Sequence, residues 1–420
     1  MTYTGKDILA LGIQPGPHIR DMLARANATG ICTYDALSDL LPPPTISLQP
    51  AMGFSVNIHA ETDDERANLN AVLETMRELT KTPVVEAAAV MPDACPAGPV
   101  GTIPVGGVVA SKHVHPGMHS ADVCCSVMVS TYDGIGPDEL MERIAANTHF
   151  GPGGRPEHKM RDGLRRLVLE NPFTEAHEGI ADWHMGTQGD GNHFSFIGTL
   201  KSTGQTTLVT HHGSRGFGAR VYKHGMKVAE KYRQKLSPDT LKQNAWIPND
   251  TQDFADYMAA LDIVARWTQD NHAVIHEAAG AQPHCLMWTK HNFVFERDGL
   301  LYHAKGSTPA WGEREAIPLN MAEPVLIVEG CDNPNALGFC PHGAGRNYSR
   351  SEHKRRGGAD IESETVGLDV RFWCGKPDES ELPSAYKNAA SVRRDIEAYG
   401  LAKVVDEVLP YGAIMAGEWR

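Results

Sequence analysis

Five short strand-like runs are scattered through this chain: HFSFIG (193–198), TTLVTHH (206–212), HNFVFER (291–297), GLLYHAKG (299–306) and PVLIVEG (324–330). They are rich in the β-branched and aromatic residues that pack on a pleated surface, and helical stretches are interspersed among them. In 251–280, Phe254, Tyr257, Met258, Leu261, Val264 and Trp267 fall near one side of a long helix. Upstream, Thr62 is placed to cap a helix whose first turn is acidic and whose Leu69, Val72, Leu73, Met76 and Leu79 follow helical spacing. VVEAAAVMP and GTIPVGGVVAS read as buried strands joined by a Pro/Gly loop, and 136–185 alternates helix with the glycine-rich HFGPGGRPEH. Helix and strand are mixed with no repeat and no break, so the expectation is an α+β fold, one large mixed domain over residues 51–420. Residues 1–50 read as a helical lead-in, interrupted at Pro15–Pro17, followed by the proline-rich linker LPPPTISLQP.

Composition narrows the function classes. Hydrophobic residues at 41% and charged residues at 22% describe a globular protein, and no apolar run approaches the ~18–20 residues that span a bilayer. The N-terminus lacks the basic start and apolar stretch of a secretory signal, and eight cysteines without a regular framework point to reduced thiols and a cytoplasmic location. A net charge of −13 argues against wholesale polyanion binding, so a nucleic-acid partner would need a local basic surface.

Twenty histidines are a rich supply of ligands, acids, bases and nucleophiles. The informative ones sit at strand ends beside small residues: His193 after Asn192, His211 and His212 before Arg215, His291 before Asn292. SADVCCSVM adds Asp122 and Cys125; adjacent Cys124 and Cys125 are poorly placed to pair with each other. One carboxylate, one thiolate and three imidazoles suffice for two metal ions if the thiolate bridges them, and two metals can hold both oxygens of an in-line phosphoryl displacement. Ligand softness favours zinc or iron; spacing leaves the metal open. In PHGAGRNYSR (341–350), Gly343 and Gly345 let the backbone approach a ligand, His342 is expected to be exposed on that turn, and Arg346 and Arg350 offer phosphate clamps.

Eight motifs in order, MPDAC (91–95), DVCCSVM (122–128), GTQGDGNHF (186–194), HHGSRGFG (211–218), HNFVFER (291–297), KGSTPA (305–310), IPLNM (317–321) and HGAGRNYSR (342–350), resemble those of the RNA-splicing ligase RtcB family. The resemblance implies an RtcB-like fold with a central two-metal cleft and two manganese ions, one held by Asp122, Cys125 and His193, the other by Cys125, His211 and His291. It implies that His342 is the nucleophile that takes GMP from GTP. The nucleotide site it implies takes in Asn192, His193, Phe194, Ser195, Phe196, His291, Asn292, Pro318, Leu319, Asn320, Met321, His342, Gly343, Ala344 and Gly345. Arg215, Arg346 and Arg350 would contact RNA phosphates, and Lys354, Arg355 and Arg356 either extend that patch or form a solvated helix face.

The implied activity is a GTP-dependent ligase that joins RNA 3′-phosphate or 2′,3′-cyclic phosphate ends to 5′-hydroxyl ends in RNA repair or tRNA splicing, with an archease-like activator as a further partner. The other readings are a two-metal cyclic phosphodiesterase and a non-catalytic RNA-end-binding protein. Three departures from the family pattern stand out. Cys124 and Ser126 replace the two glycines of Asp-x-Gly-Cys-Gly. Leu319, Asn320 and Ala322 replace Gly, Ser and Gly in Pro-Gly-Ser-Met-Gly. Ala416 falls where the family has a lysine near its terminus, with Arg420 as a substitute from a longer tail.

Overall fold

Thr62 accepts a hydrogen bond from the Glu65 amide at 3.2 Å while the Glu65 carboxylate accepts from the Thr62 amide at 3.0 Å, so the helix Asp63–Leu79 starts where its cap places it. Val72, Met76 and Leu79 are its buried face. The chain is described here by a computed structural model covering residues 2–41 and 44–419. Pro42 and Pro43 of the linker, and Arg420, lie outside the described residues. The helices Gly5–Ala10 and His18–Thr29 enclose a small core of Ile8, Ile13, Met22, Ala26 and Leu37.

The strands, in chain order, are β1 (Ser55–Val56), β2 (Val85–Cys95), β3 (Val105–Ser111), β4 (Ser126–Tyr132), β5 (His149–Phe150), β6 (Thr187–Gly189), β7 (Phe194–Leu200), β8 (Thr206–His212), β9 (His284–Lys290), β10 (Asn292–Arg297), β11 (Leu300–Lys305), β12 (Ser307–Pro309), β13 (Arg314–Ile317), β14 (Val325–Gly330), β15 (Phe339–Pro341), β16 (Asp369–Phe372) and β17 (Ala402–Met415). One sheet runs β1-β2-β3-β11-β10; the larger runs β13-β14-β17-β7-β8-β4-β9, with β16 beside β17. Its end strands β13 and β9 come back against each other, which makes a nearly closed barrel. The fold is a single mixed α/β domain, as the interspersed patterns predict.

The C-terminal EVLPYGAIM forms most of β17, the longest strand among the described residues. Pro410 has no amide to give the ladder, and the register with β7 shifts between Pro410 and Gly412. A Cβ on Gly412 would lie 2.1 Å from the Asp369 carbonyl, so only glycine lets β16 join there.

Every residue of β4 and β8 is buried, because both faces are covered. Val127, Val129 and Val209 pack with Phe196, Ile327 and Val408. The other face meets the helix Gln252–Glu277 through polar groups. Ser126 Oγ lies 3.0 Å from His272 Nε2; Thr210 Oγ1 lies 2.7 Å from both His272 Nδ1 and His276 Nε2; Ser130 Oγ lies 2.9 Å from His276 Nδ1. The Thr210 hydroxyl donates to one ring and accepts from the other, so it satisfies two buried nitrogens at once. Thr210→Val keeps the shape and removes the bridge. It is expected to lower stability by about 2 kcal/mol, the cost of stranding a buried polar group, read as a lower urea midpoint with an unchanged slope.

Candidate active site

The strand ends that carry the histidines converge. Cys125 precedes β4, His193 precedes β7, His211 is the penultimate residue of β8 and His291 lies between β9 and β10. Because β4 and β7 flank β8 in the sheet, these ends reach one spot from separate parts of the chain. Two donor groups result, Asp122 with Cys125 and His193, and Cys125 with His211 and His291; within each, the ligand atoms lie within 4.8 Å of one another. His193 Nε2 is 3.1 Å from Asp122 Oδ2, Cys125 Sγ is 3.1 Å from His211 Nε2, and His211 Nε2 is 3.1 Å from His291 Nε2.

The outer nitrogens set the tautomers. His193 Nδ1 lies 2.8 Å from the Gln188 carbonyl and His211 Nδ1 donates to the Asn192 carbonyl at 3.0 Å, which turns each Nε2 toward Cys125. Burial pushes His211 down to about 3 and, with neighbouring imidazoles, holds His291 well below the ordinary range, so both rings are neutral. Burial raises the Asp122 carboxyl, but His193, Cys125 and Arg215 outweigh it and bring it to about 2. Burial and the Asp122 charge push the Cys125 thiol up. Convergent, buried, mutually unsatisfying lone pairs of this kind are offset by a cation, and the N/S/O donor set fits a borderline transition ion.

The neighbouring cysteine is a different group. Cys124 packs among Val123, Phe217 and other apolar residues, and burial raises its thiol to about 12. Its φ is +57°, a left-handed conformation that a side chain tolerates poorly, which accounts for glycine being the family's usual residue there. Ser126, at the other departure, is the hydroxyl bonded to His272.

His342 is not the exposed turn residue expected from its sequence context; its side chain is only 15% exposed. Its Nδ1 lies 2.7 Å from Asp93 Oδ2 and 2.7 Å from the Gly306 carbonyl. Its ring centroid is 4.5 Å from that of His291. With Nδ1–H held, the Nε2 lone pair is left for chemistry. The glycines serve close packing, not exposure: a Cβ on Gly345, φ +70°, would lie 2.0 Å from the Asp93 carbonyl, and one on Gly343 would lie 2.9 Å from the Pro318 carbonyl. Asp93 is the residue that reading the sequence missed. Its position inside MPDAC marked the stretch but not its partner, 249 residues away.

A cavity of about 140 Å³ opens over His342, lined by Asn192, Phe194, Phe196, Pro318–Met321, His342–Arg346 and, beyond the expected set, Cys95, Val105, Glu381, Tyr386, Ala413, Met415 and His211 of the second donor group. Ser195 and Asn292 lie outside it. Alternation along β7 turns Ser195 away, and its hydroxyl accepts from Gln188 Nε2 at 2.5 Å; the Asn292 side chain accepts from the Gly306 amide. His193 and His291 belong to the metal-type groups and do not line the cavity.

The arginines differ among themselves. Arg215 is half-buried beside Gly189, with its Nε enclosed and unpartnered, and makes no ion pair among the described residues. Arg346 and Arg350 share one buried carboxylate, Glu381, at 2.7 and 2.8 Å, and Arg346 also stacks on Tyr386. Lys354 pairs with Asp378 and Glu418, and Arg355 and Arg356 with Glu352. These last three form a neutralised helix face, not an extension of a positive patch.

Residues 139–416 match the family model described as tRNA-splicing ligase RtcB. The chain is 28% identical over 236 residues to the RNA-splicing ligase RtcB of Escherichia coli, covering 50% of this chain and 56% of that protein. It is 25% identical over 311 residues to the tRNA-splicing ligase RtcB of Aeropyrum pernix, covering 61% and 64%. Against the RNA-splicing ligase RtcB of Mycobacterium tuberculosis it is 24% identical over 404 residues, covering 74% and 93%. The chain thus spans between about half and two thirds of the first two relatives.

Proposed function

The chain belongs to the RtcB family, and on that premise we propose that it is an RNA ligase joining 3′-phosphate or 2′,3′-cyclic phosphate ends to 5′-hydroxyl ends through a histidine–guanylate intermediate, in RNA repair or tRNA splicing. Residues 51–420 are the catalytic unit in this reading and the cytoplasm its setting. No helix among the described residues is long and apolar enough to cross a membrane. The observation that carries the proposal is His342, with Nδ1 held by Asp93 and its ring at the floor of a cavity beside the convergent donor groups.

In the proposed reaction, His342 Nε2 attacks the α-phosphorus of GTP. The N–P bond forms, the Pα–O bond breaks, and pyrophosphate leaves. Asp93 balances the positive charge that grows on the imidazole, and the split into two transfers is what covalent catalysis provides. An RNA 3′-phosphate oxygen then displaces His342 from phosphorus. The 5′-hydroxyl of the second strand attacks the activated 3′-phosphate, and GMP departs. Asp122, Cys125 and His193 would hold one metal ion and Cys125, His211 and His291 a second, manganese by family resemblance; when bound, these supply positive charge at the phosphoryl oxygens. Arg215, half-buried and in no ion pair among the described residues, would balance further phosphate charge. Mixing a 3′-phosphate RNA and a 5′-hydroxyl RNA with the protein, manganese and GTP should yield the joined strand, with each omission abolishing it. Opening of cyclic phosphates without joining or covalent label would mean the phosphodiesterase instead.

The cavity's base-selecting side is reduced. Asn320 spends its side-chain oxygen on the Ala322 and Glu323 amides, Leu319 is buried in the core, and Ala416 is fully enclosed. Selection by hydrogen bonding is strong only where the site is built to make those bonds. Labelling competition should therefore show ATP competing with GTP to within about tenfold; a preference in the thousands would overturn this.

A further inference from the structure

Two of the seven tryptophans are exposed, Trp183 at 43% and Trp419 at 41%, and both rest on one glycine-rich loop. A Cβ on Gly151, φ +74°, would lie 2.2 Å from the Trp419 ring, and a Cβ on Gly154 would lie 2.6 Å from the Trp183 ring. The glycines thus support the indoles from below with bare backbone. Two residues lie between them, so the two supports are at most about 11 Å apart.

This loop adjoins the site. The Gly151 amide donates to the Gly189 carbonyl at 2.7 Å, and Gly189 is the residue against which the Arg215 guanidinium lies. His184, next to Trp183, accepts from the Gly216 amide at 3.2 Å, at the start of the helix led by Arg215. Arg215 and Arg220 are the cationic side chains that bear on His184. Among the nearby acids Glu157 pairs with Arg155, Asp182 with Arg165, and Glu418 with Lys354 and Lys376, while Asp190 and Asp122 bear on Arg215.

We infer that Trp183 and Trp419, held on the Gly151–Gly154 loop beside Arg215, form a stacking platform for unpaired bases of a single-stranded RNA whose end enters the metal-type site. The inference rests on the ligase reading for the identity of the polymer. Indole faces present a stacking surface that every base fits, and cations beside them track the backbone, which is how sequence-tolerant single-strand binding is built. A duplex keeps its bases stacked on each other and has none to offer. Arg220, exposed and without an ion pair among the described residues, supplies a cation on the Trp183 side, which favours a polyanion over an apolar protein surface.

The test is fluorescence anisotropy of a dye-labelled single-stranded RNA ending in a 3′-phosphate, titrated with the full chain. Trp183→Leu and Trp419→Leu keep apolar cover over the glycines and remove the aromatic face. Each should weaken binding about five- to tenfold and the pair about 25- to 100-fold, with Trp→Phe recovering part of the loss. Binding of a blunt duplex RNA and the unfolding midpoint should hardly change. Equal affinity of wild type and double variant, or equal weakening for duplex and single strand, would overturn the platform; the first would leave the tryptophans to a protein partner. Covalent labelling of the wild type by α-labelled GTP separates the two readings. Label and joining with an indifferent double variant removes the platform alone, whereas tryptophan-dependent RNA binding without label removes the ligase.

Discussion

His342→Ala protein incubated with α-labelled GTP and manganese should acquire no covalent label, while wild type should acquire an acid-labile, alkali-stable adduct and γ-labelled GTP should label neither. The bond expected is a phosphoramidate, and an ester to serine would show the opposite lability. Asp93→Asn should retain the ring's position yet lose the negative charge that balances the forming imidazolium. By analogy with the carboxylate that orients a catalytic histidine in serine proteases, labelling should slow by about 10³–10⁴-fold. Because His342 is mostly enclosed, alanine also strands Asp93 Oδ2, whose sister oxygen is already without a partner, and some loss of stability, about 1–3 kcal/mol, accompanies it. His342→Gln offers an amide to Asp93 and separates the two effects. Both variants should still seal RNA supplied with a guanylylated 3′-end. Label persisting in His342→Ala and His342→Gln would move the nucleophile elsewhere.

Cys125→Ala should lose both metal ions together, taking the chain from two per molecule to none by elemental analysis. Cys125 is the one residue common to both donor groups, with Sγ 3.8 Å from His193 Nε2 and 3.1 Å from His211 Nε2. His211→Ala should cost one ion and spare the other, since Asp122, Cys125 and His193 survive. Retention of one ion in Cys125→Ala would remove the bridging role. Cys124→Gly is the control. It relieves a left-handed backbone, removes a thiol packed in the apolar core, and should leave the metal content untouched. An empty site in Cys124→Gly would mean that the wrong cysteine had been assigned.

How much was legible beforehand differs by residue. Thr62 and the helix after it were readable because cap and periodicity are local, within one or two turns. The β7, β8, β10, β11 and β14 runs were readable because β-rich composition announces a strand. β17 was not, because Pro410 and Gly412 carry the ordinary signs of a turn and only pairing with β7, β14 and β16 holds them extended. The Ser126–His272–Thr210–His276–Ser130 contacts were equally hidden: each hydroxyl looks like a surface residue until two strands and a helix meet. Arg346 and Arg350 carried a true charge and a misleading environment, since Glu381 sits more than thirty residues further along the chain.

By itself the sequence determined the local elements and the chemical inventory: which segments are helix or strand, and that a carboxylate, a thiol, histidines and arginines stand in a family's order. It did so because propensity, capping and motif order depend only on near neighbours. The tertiary structure alone decided which nitrogen of each imidazole faces the cluster, that Asp93 holds His342, which cysteine is inert, and which arginine is left unpaired. The ring orientations rest on carbonyls 5 and 19 residues away, Gln188 and Asn192, but the site itself is closed by contacts 71 and 249 residues apart, His193 with Asp122 and His342 with Asp93. Burial, which removes water as the alternative partner, is what makes such contacts obligatory.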